Sequence, residues 1–329
     1  MGFEVNTYPY YDEATGGLRF DAMLDAIDKL PAKSVVLLHA CCHNPTGVDL
    51  DQAHWVKIID VLQKRDLLPF VDMAYQGFGS GLDDDTFAVR ELARRGVPAC
   101  IANSFSTNYS LYGERCGGLH VICDDAAEAD RVLGQLTSAV RANYSNPPTH
   151  GAKIVTHVLN TPGLKQSLER ELASMCQRIA RMRQAIHDGL KDHVRGEMLT
   201  RYIKQRGMFT YTGLVADQAD RLKEEFGVYI LRSGRMCVAG LNDSNVQIVA
   251  DAIGKVLASR YATISRDRTA LFGRSSPSLC VAAFLSISPT AMVIHLEHHN
   301  LMILSFARLF TALGFSFQLA TRQKASKET

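Results

Sequence analysis

An alternation of short apolar runs and helical patterns is the feature that most constrains how this chain can fold. Four runs have the length and the apolar or β-branched content of strands, and those at 34–39 and 98–102 are predicted to be buried. The four runs lie at 34–39, 67–72, 98–102 and 118–122. Helical spacing of apolar residues occupies the segments between the first three runs. Strands that alternate with helices predict an α/β fold with a parallel sheet.

The second half of the chain is dominated by one long amphipathic pattern. Residues 163–193 carry apolar side chains at helical spacing, which predicts a single long helix. Short runs at 208–211 and 228–231 predict two further strands, and helical patterns at 217–225 and 245–257 accompany them. These elements predict a second, smaller α/β unit.

Composition narrows the classes of function. The 329 residues carry a formal net charge of +2, which gives no electrostatic reason to expect nucleic acid or an acidic membrane as a partner. Eight cysteines occur without a C-x-x-C pair, which favours reduced thiols and a cytoplasmic location. The N-terminus shows no basic region followed by an apolar core, so we expect no signal peptide.

The loop after the third strand run carries the most specific motif. Hydroxyls and a basic residue at the carboxyl end of a parallel strand favour an anion site. The segment reads S-F-S-T-N-Y-S-L-Y-G-E-R from Ser104 to Arg115. It resembles the aspartate/aromatic aminotransferases, pyridoxal phosphate (PLP) enzymes of fold type I, whose signature is S-x-S-K-N-x-x-L-Y-x-E-R. Every fixed position is kept except one, because Thr107 stands where that family has its Schiff-base lysine.

Two earlier motifs support the same resemblance. N-P-T-G, beginning at Asn44, taken alone is most often a turn, and Asp72 taken alone is most often a cap or a solvated strand end. The resemblance implies that Asp72 faces the pyridine nitrogen and that Tyr75 and Asn44 reach the ring hydroxyl. It also implies that Ser104 and Arg115 bind the phosphate, a role that suits a hydroxyl and a guanidinium.

The resemblance also assigns residues to the substrate. Arg235 matches the arginine that binds the α-carboxylate, for which a planar fork is suited. Arg141 matches the arginine that binds a side-chain carboxylate across a dimer interface. Phe209 and Asn44 match residues near the substrate. The implied partners are therefore an amino acid, a 2-oxo acid and a second subunit.

The resemblance covers about three quarters of the chain and divides it. It implies a partial PLP-binding large domain at 1–161, a bridging helix with a small α/β domain at 162–258, and an unrelated tail at 259–329. The first third of the family's chain, with its Gly-rich phosphate loop and its stacking aromatic residue, has no counterpart here. In the tail, the apolar segment 279–320 is interrupted by charges and histidines, so we expect neither a membrane span nor a metal site at 295–299.

Because of Thr107, the sequence is compatible with both an enzyme and a non-catalytic protein. A threonine hydroxyl cannot form an imine and is a poor base near neutral pH, so covalent attachment of PLP is not expected. One interpretation is PLP-dependent transamination between aspartate or an aromatic amino acid and 2-oxoglutarate, impaired in this chain. The alternative is a non-catalytic homologue that binds PLP weakly or pairs with an intact subunit. A third interpretation is a product without a function of its own.

Overall fold

The computed structural model describes residues 4–264 and 283–286. The strands within these residues are β1 (Glu4–Thr7), β2 (Tyr11–Asp12), β3 (Gly17–Leu18), β4 (Val35–His39), β5 (Leu68–Met73), β6 (Ala99–Ser104), β7 (Gly117–Ile122), β8 (Phe209–Tyr211), β9 (Arg235–Cys237) and β10 (Ala283–Ser286).

The helices of the same residues surround two sheets and a short hairpin. They are α1 (Phe20–Asp28), α2 (Gln52–Lys64), α3 (Phe87–Arg94), α4 (Ala126–Tyr144), α5 (His150–Asn160), α6 (Pro162–Leu190), α7 (Glu197–Lys204), α8 (Ala216–Phe226) and α9 (Val246–Ile264). Local chemistry sets several boundaries. The Asp51 carboxylate, for example, accepts from the His54 amide at 2.7 Å and caps α2.

The main sheet has the strand order β1-β10-β4-β5-β6-β7. β4, β5 and β6 are parallel, and β7 runs antiparallel to β6. β10 is antiparallel to both β1 and β4. The predicted fold, an α/β architecture of type I with a parallel sheet at its centre, is therefore confirmed, with antiparallel strands on both flanks.

Strand register brings several loops to one edge of this sheet. His39, Asp72 and Ala102 are aligned across β4, β5 and β6, close to the carboxyl end of each strand. Ser104, the last residue of β6, pairs with Gly117, the first residue of β7. The loops that follow β4, β5 and β6 and the loop that precedes β7 therefore share this edge, where ligands of open α/β sheets bind.

The core explains why the apolar runs are buried. Val36 and Leu38 of β4 belong to one cluster with residues of α1 and α2, while Val71 and Ile101 belong to a second cluster with residues of α3. The buried apolar residues on β4 and β5 follow the sequence prediction of interior strands.

The long helix α6 is confirmed, and its inner face forms a third cluster with α9 and β9. Leu172, Ile179 and Ile186 are buried in this cluster. Leu164 and Met175, which share the apolar pattern, are exposed. The periodicity therefore identifies the helix but not the length of its buried stripe.

The prediction of a strand at 228–231 is wrong. Tyr229 and Leu231 are exposed, and Gly234 turns the chain with a φ of +83°. The strand that pairs with β8 is β9, in which Met236 is buried opposite Thr210. The turn at Gly234 therefore makes the strand begin seven residues later than the apolar run indicated.

The proposed domain boundaries stay predictions. α6 begins at Pro162, while α9 continues past residue 258 to Ile264. From the tail segment, β10 joins the main sheet beside β4. The histidine cluster at 295–299 and the rest of the apolar segment lie outside the described residues. Among the described residues, no helix is long and apolar enough to cross a membrane.

Candidate functional site

The loop after β4 presents Asn44 at the shared edge of the sheet. The Asp49 carboxylate accepts from the amides of Cys42 and His43, both at 2.7 Å, and fixes this turn. The Asn44–Pro45 peptide bond is cis. The N-P-T-G motif is therefore a turn, as expected, and it also holds a half-buried amide side chain in the cleft.

Asn44 links two residues that are far apart in the sequence. Its Nδ2 donates to the Tyr75 hydroxyl at 3.3 Å, and its Oδ1 accepts from Arg235 Nη1 at 2.9 Å. Arg235 lies on β9 of the small sheet, 191 residues along the chain. Three predicted site residues thus form one continuous polar network between the two sheets.

Phe209 gives this network an apolar wall. The Arg235 guanidinium lies 4.5 Å from the centroid of the Phe209 ring, and the Tyr75 ring meets Phe209 edge-on at 5.8 Å. Buried Arg183 of α6 fixes the position of Phe209, because its Nη2 donates to the Phe209 carbonyl at 2.6 Å. The guanidinium is thus held over one aromatic face and against one amide.

Asp72 lies beside the network near the end of β5. It is paired in register with His39 of β4. Burial lowers the pKa of His39, and the charges of Asp72 and Asp49 oppose this effect. Asp72 therefore has a histidine and a phenol as close neighbours at the sheet edge.

Tyr75 stays protonated at neutral pH. Burial raises the pKa of its phenol above the usual value of 10.0, and the charge of Asp72 adds to the rise, while Asn44 and Arg235 partly oppose it. Because the hydroxyl accepts from Asn44, its proton is directed elsewhere. The phenol can donate this proton to an oxygen of a ligand.

The loop after β6 places Ser104 and Thr107 at the same edge. The Ser104 hydroxyl accepts from the Ser106 amide at 3.2 Å, and Thr107 is buried. The side-chain oxygens of Asn103 and Asn108 are buried without a hydrogen-bond partner among the described residues. Such unsatisfied oxygens are unusual in a packed core, and here they flank the candidate site.

The two remaining predicted arginines lie outside the network. Arg115 is at the correct edge, two residues before β7, but its side chain is exposed and donates to the Tyr112 carbonyl at 3.0 Å. Arg141 is exposed in the last turn of α4. The structure thus brings Asn44, Tyr75, Phe209 and Arg235 into contact with one another, and it leaves Arg115 and Arg141 at the surface.

Sequence reasoning missed His39 and Arg183. His39 was assigned only to a strand, and the register of two parallel strands could have placed it opposite Asp72. Arg183 interrupts the apolar face of a long helix, and a buried arginine needs partners. Its partners are the carbonyls of Tyr202, Gly207 and Phe209, at 3.1, 2.8 and 2.6 Å.

No described lysine lies buried beside Thr107. All ten lysines between residues 4 and 264 are exposed. They are distributed over helices and loops, for example Lys153 on α5 and Lys255 on α9. The described residues therefore offer no buried amine in place of the one that the motif lacks.

Fold and site together define an α/β protein with a cleft at the carboxyl ends of parallel strands, lined by a carboxylate, a phenol, an amide and an arginine. The family of class I and II aminotransferases matches residues 1–253, and the chain belongs to this family. The confirmed resemblance was carried by the motifs around Asn44, Asp72 and Ser104.

Similar proteins and structures agree with this assignment. The chain is 55% identical over 256 residues to an aromatic-amino-acid aminotransferase of Escherichia coli K12, covering 78% of this chain and 64% of that one. It is 48% identical to an aspartate aminotransferase of Pseudomonas aeruginosa, with the same coverage of both chains. The crystal structure of an aromatic amino acid aminotransferase from Burkholderia cenocepacia is 75% identical, with a TM-score of 0.75, covering 77% of this chain and 63% of that one.

The chain spans slightly less than two thirds of the length of these relatives. A further solved relative, an aromatic-amino-acid aminotransferase from Burkholderia pseudomallei, is 49% identical with a TM-score of 0.74. It covers 76% of this chain and 63% of that one, and it is covalently bound to pyridoxal phosphate. The family uses this cofactor for transamination.

Proposed function

We propose that the chain binds PLP reversibly and acts with it as an aminotransferase on amino acids and 2-oxo acids. Its turnover is slow, because Thr107 offers no amine. The observation that carries this proposal is the continuous network of Arg235, Asn44 and Tyr75 beside Asp72. Asp72, Tyr75 and Asn44 are suited to a pyridine ring, and Arg235, which is bonded to Asn44, is suited to a carboxylate.

The residues present fit the ring of PLP. Asp72 offers a carboxylate, and protonated Tyr75 and the Asn44 amide offer donors for a ring oxygen. The orphaned oxygens of Asn103 and Asn108 show that this edge holds polar groups without partners inside the described residues. The residues available to bind the phosphate group are less well placed. Ser104 is half-buried, and the Arg115 side chain donates to a backbone carbonyl.

Each residue has a separate role in the proposal. Asp72 would keep the pyridine nitrogen of bound PLP protonated, and Tyr75 would donate to the oxygen on its ring. Arg235 binds the α-carboxylate with its planar fork, in an orientation fixed by Phe209 and Asn44. A bound amino acid would therefore be held at its carboxylate end.

PLP, when bound, supplies an electron sink for a carbanion at the amino acid's Cα. The protein must also move the Cα proton, and a lysine amine does so where the motif is intact. The Thr107 hydroxyl neither accepts that proton near neutral pH nor forms a covalent link. The site thus retains binding and ring polarisation but lacks the internal base.

The substrate class in this proposal is aspartate or an aromatic amino acid with 2-oxoglutarate. Relatives of both names are similar to the chain. Arg235 serves the α-carboxylate of either substrate. In this proposal Arg141 serves a side-chain carboxylate from a partner subunit, which agrees with its exposure at the end of α4.

A second candidate function is pairing, as a homodimer or with an intact relative. Its support is the exposure of large apolar side chains on three consecutive helices: Leu133 of α4, Leu159 of α5 and Leu164 of α6 are 61%, 45% and 41% exposed. Sedimentation velocity over a range of concentrations tests this candidate. A chain that stays monomeric at high concentration, alone and with an intact relative, would contradict it.

The proposal also includes a cytoplasmic location and a division of the chain into domains after residues 161 and 258. Free thiols at Cys41, Cys42 and Cys100 are stable in a reducing compartment. The start of α6 at Pro162 supports the first boundary. Localisation of a tagged chain and limited proteolysis test these two points separately.

PLP titration followed by difference absorption tests the main proposal. We expect saturable binding that dialysis reverses, with no adduct trapped by borohydride. Asp72→Asn should weaken binding, whereas Asp130→Asn, on the exposed side of α4, should not. Transamination with excess PLP should lie at least about a hundredfold below that of an intact relative, because acid–base catalysis contributes roughly 10²–10⁴. Equal PLP binding by wild type and Asp72→Asn would contradict the proposal.

A further inference from the structure

A buried group of metal-binding atoms lies behind the cleft. The Sγ atoms of Cys41 and Cys42 and a carboxylate oxygen of Asp85 all lie within 4.8 Å of one another. Each of the three residues is 5% exposed or less. We call these three residues the thiol pocket; their side chains take no part in the network described above, although the Cys42 amide helps to fix the turn at Asn44.

The backbone around the thiol pocket fixes its two halves. Cys42 has a left-handed φ of 52°, and its amide donates to Asp49 at 2.7 Å. The Asp85 carboxylate accepts from three amides of one loop, those of Gly77, Gly79 and Ser80, at 2.8, 3.0 and 2.7 Å. The ligand atoms are therefore held in place without any ion, as a pre-organised site requires.

A third thiol lies beside the pocket. Cys176 of α6 contacts the Gly79 carbonyl through its Sγ at 3.6 Å, on the same loop that holds Asp85. The charges of Asp85 and of Cys42 both act on the Cys176 thiol, which places it near the pocket. A third thiol thus contacts the loop that holds Asp85, and it comes from a third segment of the chain.

The electrostatics of the pocket favour a cation. The pKa of Cys42 is raised well above its usual value by its contact with Cys41, by burial, and by the charges of Cys41, Asp49 and Asp85. The contact with Cys42 lowers the pKa of Cys41, but burial and the same two carboxylates outweigh it, so that the pKa is raised. The carboxylates of Asp49 and Asp85 thus act on both thiols, and a bound cation would offset their negative charge.

The ligand chemistry selects the class of cation. Thiolates favour soft or borderline metals, and Zn²⁺ takes four ligands at about 2.3 Å from sulfur and about 2.0–2.2 Å from oxygen. A tetrahedral site therefore needs neighbouring ligand atoms about 3.5–3.8 Å apart. A contraction of at most about 1.0–1.3 Å brings the thiol pocket to these distances.

We propose that the thiol pocket binds one thiophilic divalent cation, such as Zn²⁺ or Cd²⁺, with Cys176 as the fourth ligand. Each thiol releases its proton to solvent as its sulfur binds the metal. The Cys42 thiol, 3.8 Å from the Tyr75 carbonyl, then exchanges that contact for the metal. The site lies one residue from His43 and two from Asn44, yet it does not depend on PLP binding.

Titration of the full-length reduced chain with Cd²⁺, in competition with a chromophoric chelator, tests this proposal. We expect one Cd²⁺ per chain, with thiolate-to-cadmium charge transfer in the near ultraviolet and release of protons. Cys41→Ser, Cys42→Ser and Asp85→Asn should each lower the affinity by about a hundredfold or more, since even outer-shell changes cost roughly 10–100-fold. Cys237→Ser, which alters an exposed thiol on β9, is the matched control and should change nothing.

Cadmium NMR of the unmutated chain keeps the test independent of variants that fail to fold. A chemical shift typical of three bound sulfurs supports the proposal, and a shift typical of oxygen ligands overturns it. Binding of less than one Cd²⁺ by the wild type also overturns it. The proposal is also overturned if Cys41→Ser and Cys42→Ser bind Cd²⁺ as tightly as Cys237→Ser does.

Discussion

Arg235 donates a hydrogen bond of 2.9 Å to the side-chain oxygen of Asn44, across 191 residues of sequence. The contact joins the small sheet to the carboxyl edge of the main sheet. The same guanidinium lies over the aromatic ring of Phe209, so it is held against an amide and a ring at once. This relationship makes one site from two separately folded segments.

Replacing Arg235 by lysine should weaken carboxylate binding although the charge is kept. Lysine lacks both the fork and the flat face that packs on Phe209. We expect a loss of about 1.5–3 kcal/mol, or roughly tenfold to a hundredfold in Kd. Calorimetry with 3-phenylpropionate measures this loss. Arg232→Lys, at an exposed ion pair with Asp220, is the control, and equal effects of the two changes would refute the assignment.

Removing the phenol oxygen at Tyr75 should weaken PLP binding without unfolding the chain. Tyr75→Phe deletes one donor to the ligand and leaves the Asn44 amide without its acceptor. We expect a rise in the Kd for PLP of about tenfold, the value of one hydrogen bond of about 1.4 kcal/mol. Tyr229→Phe, at a residue 76% exposed, should bind PLP as the wild type does.

The stability of the chain should fall as the pH drops below about 6.5. Burial lowers the pKa of His39 and lowers that of His43 further, so both stay neutral in the folded chain. The unfolded chain takes up these protons below about pH 6.5, at a cost approaching 1.4 kcal/mol per pH unit for each histidine. The contribution of these two histidines to the free energy of unfolding is therefore fully present above about pH 6.5, and it is lost as the pH falls below that value.

Urea unfolding between pH 7 and pH 5 measures this loss. His43→Gln should reduce the slope of unfolding free energy against pH, because it removes one of the two groups. His157→Gln, at an exposed position on α5, should leave the slope unchanged. A wild-type stability that does not vary over this range would show that the two histidines titrate alike when folded and unfolded.

Deleting the guanidinium of Arg183 should destabilise the fold. Arg183→Met leaves the carbonyls of Tyr202, Gly207 and Phe209 without their buried donor. We expect a loss of about 3 kcal/mol or more, with the urea dependence of unfolding unchanged. Arg181→Met, on the exposed face of the same helix, should cost less than about 0.5 kcal/mol. Similar losses for both variants would contradict the role of Arg183.

Restoring the amine by Thr107→Lys should allow covalent attachment of PLP but not efficient turnover. The position is buried at the sheet edge, whereas the Arg115 guanidinium is occupied by a backbone carbonyl. A loosely held phosphate leaves the ring free to shift, and a displacement of about 1 Å can lower the rate roughly a hundredfold.

Borohydride trapping and mass spectrometry locate the attachment of PLP. A stopped assay with aspartate or an aromatic amino acid, 2-oxoglutarate and excess PLP measures turnover. Thr156→Lys, on the exposed surface of α5, is the control for a new lysine alone. Turnover near that of an intact relative would show that Thr107 is the sole defect of this chain.

The sequence by itself determined the family, the parallel core and the positions of most helices and strands. Local signals were sufficient there, because β-branched runs and helical spacing report burial directly. The motifs around Asn44, Asp72 and Ser104 also identified the cleft edge, since the carboxyl ends of parallel strands must coincide. The strand at 228–231 failed because an apolar run cannot show where a turn will place the pairing residues.

Only the tertiary structure decided which of these residues meet. Asn44 and Arg235 are in contact although 191 residues separate them, and buried Arg183 of α6 donates to the carbonyl of Phe209. Exposure of Arg115 and Arg141, and convergence of Cys41, Cys42 and Asp85, likewise follow from how separate segments pack. Long-range contacts of this kind have no local signature, because each side chain's environment is set by residues distant in the sequence.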